Sequence, residues 1–238
     1  VMERFGAPIL RNGGEVMQGK NNFKRILSGI MSVAMAATLL PSLPAVAEDA
    51  AEKYPYTMFA ASDTEGAITI NANNFCVNGN IATNGTIVSS GNMNVNGTKT
   101  ENADEEMIYI LKKLNYSYFS GDNVETYADD YSFEDLNINI NNPMDVNGTL
   151  ELTGNINLNS GIKAVEDVTI NGEVKNTNNS VICSETGDIN IETSNVNFSG
   201  LIYAPYGDIN IDTDNLNLNN VIIIGQTITI DCPSINAN

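Results

Sequence analysis

Short alternations of apolar and polar residues run through most of the chain, with Ile, Val or Leu taking turns with Asn, Asp or Thr. Strict alternation of this kind predicts strands with one face buried and the other in water. The phrases also recur at a nearly fixed distance. Gly187-Asp188-Ile189-Asn190-Ile191 returns as Gly207-Asp208-Ile209-Asn210-Ile211. With Ile209–Ile211 as a first marker, equivalents stand at Leu150–Leu152, Val168–Ile170, Ile189–Ile191 and Ile228–Ile230. The intervals are 18, 21, 20 and 19 residues. A second marker follows in each period, at Ile156–Leu158, Val174, Val196–Phe198, Leu216–Leu218 and Ile235. A third closes it at Ile162, Val181-Ile182, Leu201-Ile202 and Val221-Ile222. Three short strands per period of about 20 residues make one triangular rung, and rungs stack at about 4.8 Å. The pattern predicts an all-β, right-handed parallel β-helix with apolar columns inside and Asn, Asp and Thr outside.

An antiparallel sandwich is the competing reading. Asn-Gly pairs begin at Asn78, Asn84, Asn96, Asn147 and Asn171, and such pairs are hairpin signals. The same pairs serve as rung corners, where Asn and Gly tolerate a left-handed backbone. Hairpins do not require like residues to recur at one period, so the solenoid is favoured.

The amino half is less regular. Ile68–Ile70, Phe75–Val77 and Ile81 make one rung, and Ile87-Val88 with Met93–Val95 begin another. The pattern then breaks and resumes with Leu136–Ile140. The expected organisation is a linker at 48–64 and a β-helix at 65–238, with a helical insertion at 98–135. Within the insertion, Asp104 to Leu114 reads as a helix. Asn102 or Asp104 would cap it, acids fill its first turn, and Gly121 would stop it. Met107, Ile108, Leu111 and Leu114 share one face, which is expected to pack on the solenoid wall.

Processing precedes folding. Lys20, Lys24 and Arg25 lead into an apolar run from Ile26 to Leu40, followed by Pro41, Pro44 and the small-residue pattern Ala45-Val46-Ala47. This is the pattern of a secretory signal peptide cleaved after Ala47, with Met17 the natural start of an over-extended reading frame. The apolar run is shorter than the roughly 20 residues that span a bilayer, which disfavours a transmembrane anchor.

Export changes the charge. All three arginines and two of the lysines precede the cut, and Glu3 and Glu15 are the acids lost with them. Six lysines then face 27 acidic residues, a net charge near −21. Nucleic acid, a polyanion bound through Lys and Arg, is excluded as a partner. An anionic membrane is disfavoured after signal-peptide removal for the same reason.

Candidate chemistry is sparse. The chain has no His, so its Ser and Thr side chains lack the usual base, and no catalytic residue is assigned. Asp129-Asp130 and Glu134-Asp135 could line a cleft with paired carboxylates, against the plainer reading of a solvated acidic loop. Glu192, Asp212 and Asp231 each follow a first marker and should stack as a carboxylate ladder, with Asp188 and Asp208 as a second column. A Ca²⁺ ion would relieve their repulsion, but the nonapeptide Ca²⁺ pattern is absent, so no metal or cofactor is assigned. Asn190 above Asn210 and Asn197 near Asn217 predict outward amide ladders. No regular Thr-x-Thr array supports a flat ice-facing surface. Tyr203 and Tyr206 read as corner packing. Cys76, Cys183 and Cys232 fall too far apart in the stack to form a disulfide.

The phrases "EGAITINANNFCVNGNIATNGTIVSSGNMNVNG" and "GLIYAPYGDINI" resemble the β-helical domains at the front of large secreted surface proteins of Gram-positive gut bacteria. "G-x-I-Y-A-P-x-G" followed by an alternating strand is similar to rungs of pilus-associated and bactofilin-like β-helices. The likeness covers roughly residues 57–238 and implies an extracellular scaffold or display module without catalytic residues. The expectation is a non-enzymatic surface scaffold or adhesive module that binds a macromolecule or glycan at the cell surface. It would be the amino-terminal part of a larger protein. A secreted carbohydrate-binding or carbohydrate-active protein is the alternative. Because nothing after Ile230 reads as a cap, the last rung is expected to be open and to self-associate end to end.

Overall fold

The computed structural model describes residues 56–107, 109–176 and 179–237. Parallel strands coil into a β-solenoid of about 9 turns. Each turn contributes to three walls, here named A, B and C in the order the chain visits them. The register is the one the period demands. On wall A, Tyr131, Leu150, Val168, Ile189, Ile209 and Ile228 stand in one column. Wall B stacks Ile138, Ile156, Val174, Val196 and Leu216. All of these except Tyr131 are buried. Burying one such aliphatic side chain is worth roughly 1.5–3 kcal/mol. A slip of one residue would turn the whole column to water, so the core fixes the register.

Corners are set by particular residues. Ile189–Ala204 and Ile209–Gly225 each run through all three walls, and the bend from B to C falls at Gly200 (φ +125) and Asn220 (φ 50). A side chain at Gly200 would lie 2.0 Å from the Ser180 carbonyl of the rung below. From C to A the chain turns at Gly187-Asp188 and Gly207-Asp208. Asp167 Oδ1 accepts the Asp188 N–H at 2.8 Å, and Asp188 Oδ1 accepts the Asp208 N–H at 2.8 Å. Asp208 passes the pattern on to the Thr227 N–H at 3.2 Å. The repeated Gly-Asp is therefore a corner device: glycine admits the rung below, and aspartate holds the next rung's backbone.

Rung order in space departs from chain order. Ile228–Asp231 pairs with Ile209–Asp212 on one side and with Ile68–Asn71 on the other. Tyr56–Ala60 lies in wall C between Ile223–Gly225 and Asn80–Thr83. The rung begun by Ile228–Asp231 and Ser234–Ala237 is thus completed by Tyr56–Ala60, a wall strand in the stretch expected to be a linker. This corrects the expectation of an open last rung. Its edge is filled by the first rungs of the described chain, with Ile228 N–H to Ala67 O at 2.8 Å and Cys232 N–H to Asn71 O at 2.9 Å. Among the described residues, the ends of wall A are instead Ile87–Ser89 and Tyr131–Ile140.

The ladder also reaches into both ends of the 98–135 stretch. Lys99–Thr100 closes wall C at one end and Glu125–Tyr127 at the other, so residues 101–124 must travel back along that wall. Eight interstrand steps make this about 38 Å. The helix in it is short, Leu111–Ser117, and starts after Ile110 without a side-chain cap. Asn102 and Asp104 do not cap it; both turn the chain in the left-handed region, at φ 51 and 56. The physical reason is competition for backbone groups. Asn102 and Ala103 N–H donate to Gly85 O and Thr83 O, while Glu105 donates to Asn84 Oδ1 at 2.8 Å and accepts from Asn84 Nδ2 at 2.7 Å. Tied to the wall at these points and turned through the left-handed region at Asn102 and Asp104, this stretch follows the wall edge instead of coiling. Met107, Ile110, Leu114 and Phe119 are buried on wall C against Phe59, Val181, Leu201, Tyr203 and Ile222. Ile108 and the proposed signal peptide 1–47 lie outside the described residues. No described helix is long and apolar enough to cross a membrane.

Candidate functional site

The three walls share one core and present three different outer surfaces. Wall B is an asparagine surface. Its outward positions include Asn137, Asn155, Asn195 and Asn215 in one column, and Asn74 and Asn92 in register with each other in a separate two-stranded sheet. Asn139, Asn157, Asn197 and Asn217 form a second, and the exposed Asn94 pairs with Cys76 in the separate sheet. Amides join along the stack: Asn157 Nδ2 donates to Asn139 Oδ1 at 3.0 Å and Asn96 Nδ2 to Asn78 Oδ1 at 3.2 Å. Asn159 does the same to Asn141 at 3.0 Å. Neighbouring amides are about 4.8 Å apart along the stack and roughly 6.8 Å apart along a strand. Lys175 interrupts the array, and Glu173 pairs with it. In a chain of net charge −18, this wall is nearly uncharged.

Wall A carries acids. Glu192, Asp212 and Asp231 stand in register on successive rungs, as the period predicts, with Asn171 and Asn71 continuing the column. Asn210 Nδ2 donates to Asn190 Oδ1 at 3.0 Å in the neighbouring column. The carboxylates are exposed, one per rung, and repel by about 1 kcal/mol per adjacent pair in water. Among the described residues, no group of three His, Cys, Asp or Glu side chains is arranged to hold a metal ion. Asp188 and Asp208 are occupied with the corner hydrogen bonds described above.

Wall C is covered. Its outward column reads Asp145, Lys163, Cys183, Tyr203, Ile224, Phe59 and Ala82 along the stack. At the apolar end, Tyr203 is buried and its hydroxyl accepts the Ile110 N–H at 3.1 Å. Burial pushes the Tyr203 phenol and the Cys183 thiol well above their ordinary values. At the polar end sits Lys163, its side chain 5% exposed. Its Nζ donates to Glu185 Oε1 at 2.8 Å and to Asn115 Oδ1 at 2.8 Å, and lies 3.1 Å from Asp145 Oδ1. Asn115 Nδ2 donates to the same Glu185 Oε1 at 3.1 Å. The ammonium faces the Phe119 ring, 5.6 Å from its centroid. Burial alone would lower the Lys163 pKa, but the hydrogen bonds and charges of Glu185 and Asp145 outweigh it and hold the group above its usual value.

The other sequence candidates do not assemble into a cleft. Asp130 Oδ1 accepts the Thr149 N–H at 2.9 Å, a corner bond. Glu134 and Asp135 border an open concavity with Leu136, Thr153, Gly154 and Asn155. Tyr203 is packed beneath the cover, whereas Tyr206 is exposed at a corner and stacks on Tyr109, centroids 5.2 Å apart. Cys76 is exposed on wall B, Cys183 is buried on wall C and Cys232 is buried in the core, with no disulfide between them.

The Lys163 cluster was missed because it joins three distant stretches. Two sequence signals point towards it. The third marker of the later periods is a continuous apolar run, such as Leu201–Ala204 or Val221–Ile224, and strands that are apolar throughout are covered on both faces. A lysine at the outward position of the equivalent Ile162-Lys163-Ala164 must then lie under the cover.

No family model and no curated protein matches the chain. Among solved structures, it is similar to an ice binding protein from an Antarctic biological consortium, at 11% identity. The match covers 76% of this chain and 86% of that one, with a TM-score of 0.35. So distant a likeness carries nothing about function.

Proposed function

We propose that the protein is an exported, non-enzymatic scaffold of the cell surface that meets a neutral macromolecular surface through wall B. The supporting observation is the contrast in charge: a strongly acidic chain keeps its open asparagine wall almost free of charge. Charged side chains would repel an anionic partner or cost desolvation against a neutral one. Amides held in ladders offer both donors and acceptors, and they are already ordered, which lowers the entropic cost of docking. Export is supported by the basic, apolar and small-residue pattern of residues 1–47. A chain that is left without His or Arg after cleavage fits a role of display rather than of catalysis.

A second reading, a secreted carbohydrate-binding protein, draws on the same wall, since amide pairs complement sugar hydroxyls. Glycan arrays and pull-downs with residues 48–238 test both, beside a variant carrying Asn157→Asp, Asn197→Asp and Asn217→Asp. The expected result is binding to a neutral ligand that the triple variant loses. Undiminished binding by the variant would remove wall B from the reading.

A further inference from the structure

We propose that the Lys163 cluster is a self-processing site, in which Lys163 Nζ and the Asn115 side-chain amide condense to an intramolecular isopeptide bond with release of ammonia. The three groups this reaction requires are in contact. The nucleophile Nζ is 2.8 Å from Asn115 Oδ1, one carbonyl bond of about 1.23 Å from the carbon it would attack. The leaving nitrogen, Asn115 Nδ2, is 3.1 Å from Glu185 Oε1. That same carboxylate oxygen is 2.8 Å from Nζ. One oxygen therefore touches both the nucleophile and the leaving group, as a proton carrier between them must.

The steps balance without a cofactor or co-reactant. The Lys163 ammonium gives a proton to Glu185, and the neutral amine attacks Asn115 Cγ to form the new N–C bond. Glu185 then protonates Nδ2, and the Cγ–Nδ2 bond breaks to release ammonia. The remaining excess proton on the former Nζ passes to Asp145, 3.1 Å away in the starting arrangement, and leaves with the ammonia as ammonium. The product is a neutral secondary amide, and the charge of the lysine departs with the ammonium.

The surroundings hold the reacting groups in place. Lys163 is almost wholly buried, packed beside Phe119 and one rung from the buried Cys183. The charges and hydrogen bonds that hold Lys163 above its usual pKa make its deprotonation the uphill step, and the contact geometry is what the reaction draws on. The reacting groups are held on three separate elements: Asn115 on the helix Leu111–Ser117, Lys163 on the strand Ile162–Ala164, and Glu185 just after the strand Ser180–Ser184. Holding an amine and an amide in contact replaces a bimolecular encounter by a positioned one. The bond would fasten the cover to wall C, the wall whose exposure would be most damaging.

The test is mass spectrometry of the folded, full-length protein and of its digest at Glu residues. Formation of the bond removes one ammonia from the intact mass and joins peptide 107–125 to peptide 152–166. Asn-Gly pairs elsewhere can also lose ammonia by forming succinimides, so the joined peptide is the decisive signal. Lys163→Arg keeps charge and packing but cannot form the bond; it and Asn115→Ala are expected to release the two peptides separately. Glu185→Gln is expected to slow or abolish joining while melting cooperatively. Full-length folded protein that yields peptides 107–125 and 152–166 only as separate species would overturn the proposal, and this result needs no variant. Joining at an unchanged rate in Glu185→Gln would overturn the role given to that carboxylate.

Discussion

Walls B and C are both built from parallel strands over the same core, yet one is open and the other is roofed. On wall B every second residue is polar, as in Asn215-Leu216-Asn217-Leu218, and the outer face ends in water. On wall C the equivalent strand reads Val221-Ile222-Ile223-Ile224, and both faces are buried. Backbone pairing runs unbroken through wall C, whereas Asn74–Asn78 and Asn92–Asn96 of wall B form a separate two-stranded sheet. The difference in exposure lies in the outward column and in what covers it. Wall C relies on residues 101–124 to keep Val181, Leu201, Ile222 and Ile224 from water, whereas among the described residues the outward asparagines of wall B are exposed or half-buried.

The largest effect should come from breaking the cover. Leu114 is fully buried between helix and wall, and Leu114→Asp places an unpaired charge there. A loss of roughly 3–5 kcal/mol is expected from urea unfolding, together with aggregation through the bared wall. An effect as small as that of a wall B substitution would erase the distinction between the two walls. Asp188→Ala removes a carboxylate that accepts the Asp208 N–H at the corner between walls C and A, and should cost about 1–2 kcal/mol. Asp188→Asn, which keeps an acceptor, should recover much of this.

Wall C should also respond to alkali where wall B does not. Cys183 and Tyr203 hold their protons in the fold above their ordinary values of 9.0 and 10.0. Their contribution is therefore complete below those values and is lost as pH rises beyond them, because the unfolded chain then ionises first. Stability measured across this range should fall, and less steeply in Tyr203→Phe. That substitution also removes the acceptor for the Ile110 N–H and should cost about 1 kcal/mol at neutral pH. At the small end stands Asn157→Ala, which interrupts an exposed amide ladder. A change within about 0.5 kcal/mol is expected, because surface substitutions away from special features usually stay in that range. A much larger loss would make the ladder a structural necessity rather than a surface available to a partner.

Much of the fold could be read from spacing alone. The columns through Ile189 and Ile209 or through Val196 and Leu216 appear in the sequence because an inward position tolerates little but Ile, Val or Leu, and it returns once per turn. The carboxylate register of Glu192, Asp212 and Asp231 followed from the same arithmetic. The helix boundary did not, since Asp104 and the acids after it satisfy every local rule for a helix start. What local rules omit is that Asn84, Gly85 and Thr83 would take those backbone groups first.

The sequence by itself determined the period, the three strands per turn and the identity of the inward residues, because these depend on contacts between neighbouring turns. Only the tertiary structure decided which rung follows which. A parallel strand offers the same hydrogen-bonding edge everywhere, and nothing in Ile228-Thr229-Ile230 reveals that its next partner is Ile68-Thr69-Ile70. The tertiary structure likewise decided that Asn115, Lys163 and Glu185 meet. That contact exists because a chain whose first rungs stack on its last must return along one wall, and the returning segment buries whatever that wall presents.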